Sequence, residues 1–269
     1  MKIGNRFFDT QNHTYIMGIL NITPDSFSDG GKWNHLDEAL RHTEAMIADG
    51  ADIIDIGGES TRPGHTPVSA EEEAQRVLPV IEAVRKRFDI PISVDTFKSS
   101  VAESAIQAGA DLVNDIWGLK YDPHMAEVIA KSGLACCLMH NRDNTEYRNF
   151  MEDVKQDLRE TIALAKAAGI EDDKIILDPG VGFAKSYENN LEVIRRLKEF
   201  NELKYPVLLG TSRKSVIGLT LDLPAAERVE GTIVTTVMAV EAGCMFVRVH
   251  DVKENHRAIQ MAEAILDRK

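Results

Sequence analysis

Several things are scarce in this chain of 269 residues: aromatics at 6%, cysteines at three, and basic side chains, 31 Lys+Arg against 43 Asp+Glu for a formal net charge of −12. The acidic balance argues against a nucleic-acid partner, whose phosphates call for a basic face. It leaves room for a small anionic substrate, because a few local cations can outweigh the global field. Cys136, Cys137 and Cys244 are odd in number and lie in apolar runs, so buried reduced thiols of a cytosolic protein are expected. Neighbouring Cys136 and Cys137 would face opposite sides of a strand and not bridge. No apolar run approaches the roughly 20 residues needed to cross a bilayer. Met1–Leu20 lacks the basic start, apolar core and cleavage site of a secretory signal, so a cytoplasmic location is expected. No linker rich in Gly, Ser or Pro and no charge block divides the chain, so one domain over 1–269 is expected.

What is present is a repeat. Eight short runs rich in Ile, Val and Leu recur: Tyr15–Leu20, Asp52–Ile56, Ile92–Asp95, Leu112–Asp115, Leu134–Met139, Ile175–Asp178, Val207–Gly210 and Phe246–His250. Nearly continuous apolar runs of this length suit parallel strands buried on both faces. Amphipathic stretches alternate with them: Leu36–Asp49, Ala70–Arg87, Ser99–Ala108, Met125–Lys131, Met151–Ala168, Asn189–Phe200, Ala225–Ala242 and Glu254–Leu266. Ser69 to Glu72 reads as a capping box opening the second helix, and glycines follow several helices where a C-terminal cap needs one. Eight such units predict an α/β fold, a (β/α)₈ TIM barrel of about the usual 250 residues. Residues 1–14 form an N-terminal extension, expected as a hairpin. An open doubly wound sheet is the alternative.

In a barrel the C-terminal strand ends carry the chemistry. Here those ends are polar: Asn21, Glu59–Arg62, Asp95, Asn114-Asp115, Met139-His140, Asp178, Thr211–Lys214 and Arg248–His250. The opposite ends show no comparable collection. Asp95, Asn114 and Asp178 together suit a flat, donor-rich heterocycle such as the 2-amino-4-oxo edge of a guanine or pterin, since carboxylates accept paired N–H groups and an amide both donates and accepts. The blander reading makes the aspartates helix caps and Asn114-Asp115 a turn. Ser212, Arg213, Lys214, Arg248 and His250 follow strands seven and eight, where barrels often bind phosphate. The loops Ile22–Trp33 and Gly57–Val68 are long for their place and are candidate lids.

These residues resemble a known family. Met17–Gly31, containing Asn21-Ile22-Thr23-Pro24-Asp25-Ser26-Phe27, and Gly57–Gly64, containing Glu59-Ser60-Thr61-Arg62-Pro63, are similar to the two leading signatures of the dihydropteroate synthases. The likeness continues in order through Ser93–Thr96, Asn114–Ile116, Met139-His140, Asp178–Phe183, Gly210–Ser215 and Arg248–Asp251. The resemblance implies a (β/α)₈ barrel, usually a homodimer, in folate synthesis. It would join (7,8-dihydropterin-6-yl)methyl diphosphate to 4-aminobenzoate, releasing diphosphate and 7,8-dihydropteroate, and sulfonamides would compete for the aminobenzoate site.

Carried over position by position, the resemblance implies Asp95, Asn114, Asp178 and Lys214 as pterin contacts, with Met139 on the ring face. Asn21 is the implied Mg²⁺ ligand, and Thr61, Arg248 and His250 would hold the diphosphate. Arg62, Pro63, Phe183, Ser212 and Lys214 would line the aminobenzoate pocket. Asp95, Lys214, Arg248 and His250 stand as the catalytic set. Mg²⁺ and the cations would stabilise charge gathering on the departing diphosphate, which implies a dissociative substitution without a covalent enzyme adduct. Two other readings compete. A pterin-dependent methyl-transfer barrel lacks the Asn21–Phe27 and Ser212–Lys214 motifs, and a non-catalytic pterin-binding paralogue would bind both substrates without releasing diphosphate.

Overall fold

The computed structural model describes residues 1–22, 32–59 and 67–268, the side chains of 32–34 excepted. Strands β1 (Lys2–Ile3) and β2 (Arg6–Phe7) pair antiparallel around Gly4, whose φ of 58° suits the tight turn, so the extension is a hairpin. Eight parallel strands follow: β3 (Tyr15–Asn21), β4 (Ile53–Gly57), β5 (Ile92–Asp95), β6 (Leu112–Asp115), β7 (Ala135–Met139), β8 (Ile175–Asp178), β9 (Leu208–Leu209) and β10 (Phe246–Val249). Each pairs with its neighbour in sequence, β10 returns to β3, and a bridge between Leu177 and Val207 joins β8 to the segment before β9. The expected barrel is what the chain forms. Strand β9 is short because Pro206, lacking an N–H, precedes it and Gly210 follows it.

The helices are α1 (Lys32–Ala48), α2 (Ala70–Arg87), α3 (Ser99–Ala108), α4 (Met125–Ser132), α5 (Phe150–Ala168), α6 (Tyr187–Arg195), α7 (Ser215–Leu221), α8 (Val229–Ala242) and α9 (Val252–Ile265). Three differ from expectation. The stretch Asn189–Phe200 divides into α6 and a 3₁₀ segment Leu197–Leu203, and α8 begins only at Val229, after a 3₁₀ turn at Ala225–Glu227. Helix α7 escapes periodicity because it is two turns long and carries Gly218, over which the Arg228 guanidinium lies: a Cβ there would come within 2.1 Å of Nη2. Only half of the capping box forms. Ser69 Oγ accepts from the Glu72 N–H at 3.1 Å, while the Glu72 carboxylate turns to Arg76.

Strand pleating divides the core in two. Outward side chains such as Ile54, Ile56, Val94, Val113, Leu138 and Leu177 are buried against the helices. Inward ones, among them Met17, Ile53, Leu112, Ile176, Leu208 and Phe246, fill the barrel, and Ile3 and Phe8 of the hairpin region seal its lower end. Phe8 stacks edge-on against Tyr15 at 4.8 Å and tilted against Phe246 at 5.6 Å. The paired cysteines obey the alternation, Cys136 in the outer layer and Cys137 in the inner, and all three thiols are free and buried.

Candidate active site

Alternation along each strand also builds the site. Two residues beyond an inward side chain the strand again faces inward, now at the open end. Around the ring those residues are Asn21, Gly57, Asp95, Asn114, Met139, Asp178, Gly210 and Arg248, one from each strand or its C-terminal continuation. Strand register sets Asn21 beside Gly57, Gly57 beside Asp95, Asp95 beside Asn114 and Met139 beside Asp178. The two glycines leave space at the mouth. A Cβ on Gly57 would lie 3.4 Å from Asp95 Cβ and 3.7 Å from Asn21 Oδ1. One on Gly210 would lie 3.6 Å from Asp178 Oδ2, 3.8 Å from Lys214 Nζ and 3.9 Å from Arg248 Cβ. Arg248 joins the two sides, donating from Nη2 to Asp95 Oδ2 at 2.6 Å.

Beneath this ring sits Asp55, fully buried, which accepts from Arg248 Nε at 2.6 Å and from Asn114 Nδ2 at 3.3 Å. Burial opposes the Arg248 charge, but Asp55 and Asp95 outweigh it and hold the guanidinium above its ordinary range. Asp95 is pushed up to about 7 by burial, against the pull of Arg248. Burial likewise raises Asp178 and lowers Lys214 to about 8. Among the described residues Asp95 Oδ1, Asp55 Oδ1 and Ser93 Oγ are buried without a protein partner. A buried acceptor left open at a pocket floor is matched by a ligand that brings its own donors.

The walls differ in character. Met139, Phe97 and Ile116 form an apolar cluster that Trp117 and Phe183 extend, flat enough to cover an aromatic ring. Lys214 lies 4.8 Å from the Phe183 ring centroid and donates to the Val181 carbonyl at 2.5 Å. On the far side Ser212 Oγ lies 3.0 Å from His250 Nδ1 and accepts from the His250 N–H at 3.2 Å, forming a polar corner beside Arg248. Arg213, the other cation of that loop, is taken by Asp251. Its partner is therefore structural.

A model of the pterin binding enzymes matches residues 17–250. Dihydropteroate synthase of Clostridium beijerinckii is 61% identical over 269 residues, covering all of both chains. A crystal structure of the dihydropteroate synthase of Clostridium difficile, obtained in the presence of pteroic acid, superposes with a TM-score of 0.95 at 54% identity, covering 98% of this chain and 100% of that one. The Yersinia pestis enzyme in complex with a sulfonamide drug gives 0.93 at 43% identity, covering 99% of each. This chain belongs to the dihydropteroate synthase family.

Of the residues expected from the family likeness, Asn21, Asp95, Asn114, Met139, Asp178, Phe183, Ser212, Lys214, Arg248 and His250 gather at the barrel mouth. Thr61, Arg62 and Pro63 lie outside the described residues, as do most of both candidate lid loops. Asp115, read as a turn former in the blander view, is one: it accepts from the Trp117 and Leu119 N–H groups at 2.8 and 2.7 Å. Sequence reading missed Asp55, which accepts from Arg248 beneath the ring, and Lys185, whose Nζ donates to the Gly180 and Phe183 carbonyls of the loop after β8. Asp55 carries a signal, a charge inside the apolar run Ile53-Ile54-Asp55-Ile56, because a carboxylate buried in a strand demands a cationic partner. Lys185, at the end of a loop, carries none.

Proposed function

We propose that the chain joins (7,8-dihydropterin-6-yl)methyl diphosphate to 4-aminobenzoate, yielding 7,8-dihydropteroate and free diphosphate. The observation that carries this is the single inward ring that sets Asp95, Asn114, Asp178 and Arg248 around one mouth, with Lys214 and the Ser212–His250 corner on its walls. The carboxylates and the Asn114 amide hold the amino and oxo groups of the pterin, and the orphaned Asp95 Oδ1 takes one of its N–H donors. Met139 covers one ring face. Arg248, fixed by Asp55 and Asp95, and His250 hold the diphosphate, joined by Thr61 as the family likeness implies. Phe183, Ser212, Arg62, Pro63 and the stem of Lys214 form the aminobenzoate pocket. A sulfonamide, which shares the aminobenzoate shape, competes there.

The reaction breaks the bond between the methylene carbon and a diphosphate oxygen, whose electron pair leaves with the oxygen. Fixed cations at the point where that charge develops lower the barrier without reorganising. The pterin ring stabilises the methylene cation with Asp95 close by, the arylamine nitrogen supplies its lone pair, and its proton passes to solvent. Asn21, across Gly57 from Asp95, offers one amide oxygen at the mouth. That donor set fits Mg²⁺, which keeps several waters and is shared with substrate phosphates. When bound, the ion neutralises charge on the diphosphate. With all three cysteines free and buried, as suits a reducing compartment, the cytoplasm is the proposed location. A homodimer is proposed from the exposed apolar face of α8 and α9.

The test is direct. Purified protein with both substrates and Mg²⁺ is expected to release diphosphate in step with 7,8-dihydropteroate formation and to be inhibited by a sulfonamide competitively against 4-aminobenzoate. Binding of both substrates without diphosphate release would instead favour a silent paralogue.

A further inference from the structure

The loop after β8 carries two of the proposed substrate contacts, Asp178 and Phe183, and its backbone is unusual. Gly180, Gly182 and Ala184 all take left-handed φ values, 70°, 88° and 46°. A chain of alternating handedness holds such a shape only if its carbonyls and N–H groups are individually tied. One atom makes two of the ties and anchors both to a neighbouring histidine. Lys185 Nζ, on a half-buried side chain, donates to the Gly180 carbonyl at 2.9 Å and the Phe183 carbonyl at 3.1 Å and meets His140 Nδ1 at 2.8 Å. Behind it, His140 Nε2 lies 2.9 Å from Asp157 Oδ2, and Asp157 is gripped by Arg142. Asp157 accepts only, so Nε2 bears the proton and Nδ1 presents its lone pair to the ammonium. The imidazole is then neutral, in keeping with the fall of its pKa to about 4 through burial. Gly180 has no slack: a Cβ there would come within 2.0 Å of the His140 carbonyl.

We propose that Lys185 is a positioning residue for the reaction, whose ammonium ties the Gly180 and Phe183 carbonyls to the His140–Asp157–Arg142 ladder and so sets Asp178 under the pterin and Phe183 against the aminobenzoate. Its role rests on the proposed function. It touches no substrate and acts through the loop. Gly180 N–H donating to Asp178 Oδ1 at 2.7 Å transmits the clamp to the carboxylate, and the Phe183 carbonyl transmits it to the ring.

Lys185→Met removes the three donors at nearly constant volume. In the intact enzyme it is expected to raise KM for 4-aminobenzoate about tenfold, with kcat reduced far less. Added to Phe183→Ala it should have almost no further effect on that KM, because both changes abolish one placement. A contribution to folding alone would leave KM unchanged in the folded fraction, and an effect on KM independent of Phe183 would multiply with that of Phe183→Ala; either result overturns the proposal. If Lys185→Met does not fold, Lys185→Arg decides in its place, since it keeps the charge but cannot bring one nitrogen to all three acceptors, and a native KM there is equally fatal. Amide exchange separates this proposal from the activity it rests on. The Gly180 and Gly182 N–H groups should exchange about tenfold faster in the variant without any substrate. Loosened exchange in a native chain that proves inactive would remove the proposed function and leave the clamp, whereas unchanged exchange would remove the clamp.

Discussion

The Arg248 charge at the centre of the barrel is compensated by Asp55 below and Asp95 beside it, each accepting from it at 2.6 Å. Breaking a buried charge pair from one side typically costs about 3–5 kcal/mol, since the other charge is left uncompensated. Asp55→Ala is therefore expected to lower the unfolding free energy by about 3 kcal/mol in urea titration and to reduce turnover. Adding Arg248→Met should restore much of the stability and none of the activity; a single variant as stable as the native chain would show that the pair carries nothing. This residue also marks how far the sequence could be read. Asp95, Asn114 and Asp178 were legible because polar residues at strand ends are cheap to interpret: solvent or ligand lies beyond them. Asp55 lies in mid-strand, and its meaning depends on an arginine 193 positions away that only the closed ring brings near.

At the scale of elements, what positions the site is the pleat, and glycine marks where the pleat must leave room. Gly210 and Gly180 make opposite predictions. Gly210 ends β9 without a left-handed φ, and a Cβ there meets Asp178 Oδ2, Lys214 Nζ and Arg248 Cβ at ordinary contact distances of 3.6–3.9 Å. Gly210→Ala should thus fold with an almost unchanged melting temperature but weaken pterin binding, by calorimetry, because the methyl group projects into the slot. Gly180→Ala places a methyl 2.0 Å from the His140 carbonyl at a φ of 70°, so it should lose stability first and activity with it. Equal thermal losses in both would sink the distinction. Periodicity found the strands and the long helices because each repeats its pattern enough times to be counted. It could not find α7, whose ends are set by Arg228 donating to the Arg213, Lys214 and Leu223 carbonyls. Those are tertiary contacts.

The whole molecule has one surface that the barrel itself does not explain. Helix α8 has just two charged residues, Glu230 and Glu241, and a helix apolar on most sides is normally covered on most sides. One side packs on the barrel and on α9, yet Val234 and Val237 of α8 remain 59% and 38% exposed, and on neighbouring α9 Met261 and Ile265 remain 62% and 70% exposed. Leu219 and Leu221 of nearby α7 add to the same flank. Isolated exposed apolar residues are ordinary, but several on three helices that touch one another are what a self-association surface would show. A second copy of the chain, presenting the same face, is the simplest cover, since two-fold pairing needs only one self-complementary patch. Sedimentation velocity of the native protein is therefore expected to give a dimer, and Val234→Glu with Met261→Glu to give a monomer. Because the ring of inward residues is contributed by a single chain, the described mouth is complete without a partner, and the monomeric variant should retain most of its turnover per chain. A native protein that sediments as a monomer would leave this face for some other occupant, and a monomeric variant without activity would mean that the site depends on the partner after all.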